Sequence, residues 1–177
     1  MISTREELKN VIELEKKGYS RKSLIRRYLR ELRICEYYKN CAGGGGTTRL
    51  LFKLHNFYRN RLGLRLGFEI PLNVFGKVLH IFHTGNIIIN ETSSVGEYCN
   101  IIGSTCLGSK DGGNGPTIGN HCELGMNSVV IGNVKIGNNV YIGAGAVVTK
   151  SFEQNGVSLA GVPAKIVASR KDSKKAD

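Results

Sequence analysis

No stretch of this sequence approaches the roughly 20 consecutive apolar residues that a bilayer-crossing helix requires, which excludes an ordinary transmembrane segment. The opening run MISTREELKNVIELEKK is too charged for a secretory leader. Cysteine is sparse and unpaired in pattern. Cys35, Cys41, Cys99, Cys106 and Cys122 are odd in number, scattered, and contain no C-x-x-C, so neither a disulfide framework nor a zinc site is expected. The phosphate-binding pattern G-x-x-x-x-G-K-[ST] is also missing, despite 23 glycines. The expectation is a cytoplasmic protein that uses no metal. At 177 residues it is long enough for one domain with its own core and a small attachment.

Charge is abundant but confined. The net balance is +11, and residues 1–66 hold 16 Lys/Arg against 6 Asp/Glu, leaving 9 against 8 for the remainder. A basic surface of this kind raises nucleic acid as a partner. No aromatic interleaving and no recognised binding motif accompany it, so nucleic acid is not expected. Two readings of the basic region stay open: peripheral contact with an anionic inner-membrane surface, and helices packed on an assembly with a solvated charged face.

Two periodicities divide the chain. Residues 1–66 read as helices. Ser3-Thr4-Arg5-Glu6 is a capping-box pattern before Leu8, Val11, Ile12 and Leu14, with a stop at Gly18. A second helix is expected from Arg21 to Tyr38, broken by Gly43 to Gly46, and a third from Thr48 to about Leu62, capped by Gly63. From about Phe75 a period of six replaces the helical one. Ile118, Leu124, Val130, Ile136, Ile142 and Val148 recur at that interval, and Gly119, Gly125, Gly137 and Gly143 directly follow four of them. Cys122, Ser128, Val134, Val140 and Ala146 form a second series of small or β-branched residues, and Ile89, Val95, Ile101 and Leu107 belong to an earlier frame. Lys110 to Gly115 interrupts the count as an extruded loop. Such a repeat suits a triangular solenoid with one hexapeptide on each flat side, and the glycines are expected to supply corner dihedrals.

With GFEIP at 67–71, HTGNIIINET at 83–92, PTIG at 116–119, IGAGAVV at 142–148 and AGVPAKIV at 160–167, the chain resembles the hexapeptide-repeat acyltransferases. Within them it is most similar to serine acetyltransferases and related enzymes of capsular and exopolysaccharide gene clusters. The resemblance spans about Gly67 to Val167. It implies a mainly β protein: a left-handed parallel β-helix over 67–167, with a small α-helical region over 1–66 and a basic flexible tail over 168–177. It also implies a homotrimer with active sites between neighbours, acetyl-CoA as co-substrate, and a small-molecule hydroxyl as acceptor.

Residue by residue, the resemblance makes His83 the general base. The carboxylate that orients the family's histidine aligns with Phe68, and Glu69, one residue away, is the candidate for that role. Glu91 and Asn114 fall at acceptor positions. Met126, Ala144, Gly161 and Lys165 fall at coenzyme positions, with Lys150 close by. Three departures bear on the acceptor. Phe82 stands where serine acetyltransferases carry an aspartate, Gly115 where they carry a second histidine, and Asn114 where an arginine pairs with the serine carboxylate. Asn cannot replace that charge-assisted fork. Two acceptors therefore remain open: L-serine, in cysteine biosynthesis, and a sugar hydroxyl of a surface polysaccharide.

Overall fold

The computed structural model describes residues 1–20, 22–41 and 45–169. Helix α1 spans Arg5–Glu15, α2 Leu24–Asn40 and α3 Gly46–Leu66. The capping box of α1 sits one residue later than the sequence suggested. Thr4 accepts from the Glu7 N–H, and the Glu7 carboxylate bonds the Thr4 N–H. Ser23 caps α2, and Arg21, Ala42, Gly43 and Gly44 lie outside the described residues. Helix α3 does not stop at Gly63. Gly63 lies inside it because α3 crosses Phe68 and Tyr28 so closely that a Cβ there would come within 2.7 Å of the Phe68 carbonyl oxygen. The left-handed cap is Gly67, with φ 77°.

The remainder winds as a three-sided solenoid of parallel strands. Sheet A stacks Phe68–Glu69, Ile87–Ile89, Cys106–Gly108, Val129–Ile131 and Val147–Val148. Sheet B stacks Ser94–Val95, Thr117–Ile118 and Lys135–Ile136, with bridges from Phe75 and Phe152 extending it at both ends. Sheet C stacks His80–Ile81, Asn100–Ile101, Glu123–Leu124, Tyr141–Ile142 and Val157–Ala160, closed by the antiparallel strand Lys165–Ser169. The last strand includes the first residues of the expected tail; residues 170–177 lie outside those described. The first strand of the solenoid begins at Phe68, ahead of Phe75, where the repeat becomes visible in sequence.

Every aliphatic of the six-residue frame points inward. Ile118, Leu124, Val130, Ile136, Ile142 and Val148 are all buried, as are the intervening Cys122, Ser128, Val134, Val140 and Ala146. Each large one removed from water contributes about 1.5–3 kcal/mol before entropy is counted. The repeat glycines act differently from expectation. Gly119, Gly125 and Gly137 are not at positive φ; a Cβ on any of them would meet the next coil at 2.6–2.7 Å. Close approach between coils is what requires them. One set of left-handed corners is taken by Val78, Tyr98, His121, Asn139 and Gly156, a series two residues before the paired positions of sheet C, and Asn127 and Gly145 take left-handed positions past that sheet.

The helices are joined to the solenoid by a buried ionic staple. Arg33, 1% exposed, bonds Glu15 and Glu36 and donates to the carbonyls of Phe75 and Gly76. Glu15 also accepts from the Leu79 N–H, and Glu36 from the Asn73 N–H. The two carboxylates hold the guanidinium protonated against its burial. Breaking one partner of such a group leaves a buried charge uncompensated.

Candidate active site

Counting two residues past the paired inward positions of sheet C gives His83, Gly103, Met126, Ala144 and Gly161, one from each successive coil. These five form one column down the corner where sheet C turns into sheet A. Backbone bonds fix the spacing: the His83 N–H donates to Ile102, the Gly145 N–H to Met126, and the Val147 N–H to Gly161. His83 heads the column, is exposed, and its imidazole is engaged by no other group among the described residues. It is therefore available to an incoming hydroxyl.

The column brings together four of the expected positions: His83, Met126, Ala144 and Gly161. Lys165 pairs with Ala160 at its foot, beside Gly161. Gly103 belongs to the same column and was not singled out from sequence. The six-residue frame would have found it, since it follows the inward Ile101 by two. A Cβ at Gly103 would stand 3.2 Å from both the His83 Cβ and the Met126 Cε. Gly103 is buried, and its lack of a side chain lets His83 and Met126 close over it. Ala144 and Gly161 continue the column as exposed positions with little side chain, leaving main chain accessible. Phe82 and Met126 supply exposed apolar surface beside it.

Other candidates lie elsewhere. Glu69 forms no bond to His83. It sits on the first strand of sheet A and lines a cleft with Tyr28, Arg59, Asn60 and Pro71 beneath α3. The slip of one residue puts the carboxylate on the outward face of that strand, away from the corner. Lys150 lies past the last sheet A strand, at the corner between sheets A and B. Its ammonium stands 5.4 Å from the Phe152 ring centre, so within one chain it lies at a different corner from the column.

Glu91 and Asn114 do come near each other in the fold, at that A–B corner. The extruded loop is pinned there by the Gly115 N–H, which donates to Thr92 Oγ1 at 2.7 Å, while Thr92 itself is held by Asn90. Ser93 beneath it is buried, and a Cβ at Gly115 would collide with its hydroxyl at 2.4 Å. Glycine at 115 is thus demanded by packing. Within one chain, His83 and the Glu91–Asn114 pair occupy different corners of the triangle.

The remaining histidines are structural. His80 bonds the Lys17 carbonyl at 2.8 Å and stacks on Tyr19. His55 pairs with Glu31 at 2.6 Å, and His121 stacks on Tyr98 at a left-handed corner. Among the described residues no group of His, Cys, Asp and Glu could hold a metal.

Residues 115–150 match the family described as "Bacterial transferase hexapeptide (six repeats)". The serine acetyltransferase of Synechococcus elongatus is 35% identical over 108 residues, covering 59% of this chain and 44% of that protein. The crystal structure of Neisseria gonorrhoeae serine acetyltransferase superposes with a TM-score of 0.74 at 26% identity, covering 96% of this chain and 70% of that one. Serine acetyltransferase from Brucella abortus in complex with coenzyme A superposes with a TM-score of 0.73 at 21% identity, covering 93% and 67%. The chain spans about half the length of the curated relatives it matches. Residues 115–150 thus carry the hexapeptide repeat, and the chain is similar in sequence and in fold to serine acetyltransferases.

Proposed function

We propose that the chain is an acetyl-CoA-dependent O-acetyltransferase whose acceptor is L-serine, as part of cysteine biosynthesis. The observation that carries this reading is the column: an exposed, unengaged histidine at the head of a corner that continues through the exposed, small Ala144 and Gly161. The same corner fits an extended pantetheine arm lying against main chain, with Lys165 near its foot for a phosphate. The relatives named for serine acetylation, and the neighbour named for a coenzyme A complex, support the choice of donor and acceptor.

His83 takes the proton from the acceptor hydroxyl as that oxygen attacks the thioester carbonyl. One C–O bond forms and one C–S bond breaks, and the imidazolium returns the proton to the departing sulfur. No metal is required for this transfer. Glu91 and Asn114 reach an acceptor at His83 only from another copy, so the reading includes a homotrimer in which one chain's A–B corner faces the next chain's His83 corner.

A second reading, acetylation of a sugar hydroxyl, is favoured by Phe82, Asn114 and Gly115, none of which offers the charge that would grip an amino acid. The deciding experiment is thiol release from acetyl-CoA by the purified protein, with L-serine and with nucleotide- and lipid-linked sugars in parallel. Serine-dependent turnover is the expected outcome. Turnover confined to sugars would move the assignment to polysaccharide modification.

A further inference from the structure

Helix α3 is apolar on two sides. Leu62 and Leu66 are buried on one, alongside Gly63 against Tyr28 and Phe68. On the opposite side Leu50, Leu54, Phe57 and Leu64 follow one another at helical spacing and are 68, 62, 61 and 86% exposed. Nothing else in the described fold shows so long a line of uncovered large apolar side chains on one element. Lys53, Arg61 and Arg65 project from that same side and are exposed, and the Arg61 guanidinium lies 5.9 Å from the Phe57 ring centre. Arg49 and Arg59 bring the cations of α3 to five, and the helix contains no Asp or Glu.

We propose that this face of α3 docks on an anionic lipid bilayer, lying in the plane of the surface with Leu50, Leu54, Phe57 and Leu64 inserted at the headgroup boundary. Apolar residues bordered by Lys and Arg, on a helix too charged to cross the membrane, are what interfacial binding requires. The charge selects this occupant over a second copy of the chain. Two α3 faces set together would oppose Lys53, Arg61 and Arg65 to their own equivalents, with no acid on either helix to offset them. A bilayer bearing phosphate headgroups supplies both the apolar layer and the counter-charge. The proposal does not depend on which hydroxyl is acetylated.

The test is co-sedimentation of the full chain with vesicles of phosphatidylcholine alone and of phosphatidylcholine mixed with phosphatidylglycerol, at low and high salt. Binding is expected only to the anionic vesicles, weakening as salt screens the contact. The double variant Leu54→Ser/Phe57→Ser should lower partitioning by about tenfold or more. Lys53→Gln/Arg61→Gln/Arg65→Gln should lower it by about a hundredfold. All these side chains are exposed, so the melting temperature and the solution mass should stay unchanged. The proposal is overturned if the anionic vesicles do not retain the protein, or if the variants bind them as the parent does. It is equally overturned if Leu54→Ser/Phe57→Ser changes the solution mass without affecting vesicle binding, which would make the stripe a protein interface.

Discussion

Gly103 is the position where the smallest change should reach the chemistry. A valine there would project its methyls into the space between His83 and Met126, against neighbours already 3.2 Å from a Cβ. Misplacing a reacting group by about 1 Å costs on the order of a hundredfold in rate. Gly103→Val should therefore lower kcat/KM by about tenfold to a hundredfold and also lower the melting temperature, since φ +159° and the buried contacts strain a side chain there. Steady-state kinetics beside a melting curve checks this, and an unchanged kcat/KM would separate Gly103 from the chemistry at His83. His83 was legible from its motif. Its neighbours Met126, Ala144 and Gly161 were legible only as family positions, and the fold shows why they belong together: they repeat once per coil. Glu69 stands one residue past the aligned Phe68, and a shift of one residue along a strand moves a side chain to the other face.

Among the elements, the turn between α1 and α2 is held to the solenoid by the Tyr19 phenol and by the His80 bond to the Lys17 carbonyl. Tyr19 donates to the Ile81 carbonyl at 2.6 Å and accepts from the Ile81 N–H at 2.7 Å, while its ring stacks on His80. Burial, aided by the nearby Glu15 charge, holds this phenol up to about 12 from its usual 10.0. In the unfolded chain Tyr19 releases its proton near 10, whereas in the folded chain it keeps it until about 12. Stability present at neutral pH should therefore fall as pH rises from about 10 to 12. Tyr28, whose phenol burial also pushes up to about 12, acts in the same direction. Tyr19→Phe should lower the melting temperature at neutral pH, since two hydrogen bonds are lost, yet flatten its decline above pH 10. A decline as steep as the parent's would show that the phenol does not titrate with folding. The helices themselves were legible to within a few residues. Their ends were not, because Gly63 answers to the packing of α3 on Tyr28 and Phe68, a tertiary demand with no local signal.

For the whole molecule, the period of six was readable because each coil repeats the same packing problem: an aliphatic to fill the interior and a glycine where the next coil presses close. What one chain cannot show in its sequence is how corners of different copies meet. His83 stands at one corner and Glu91 with Asn114 at another, so each site in the proposed trimer draws on two chains. Mixing His83→Ala chains with Glu91→Gln/Asn114→Ala chains, each nearly inactive alone, should restore activity once subunits exchange. A mixture as inactive as its parts would confine the site to one chain. The assignment of acetyl transfer to His83 is tested by single-chain substitution. His83→Ala should lower acetyl-CoA-dependent turnover by about 10² to 10⁴ while acetyl-CoA binding, measured by calorimetry, stays within about threefold of the parent. Turnover equal to the parent's would contradict the role given to this histidine and, with it, the active site built around the column.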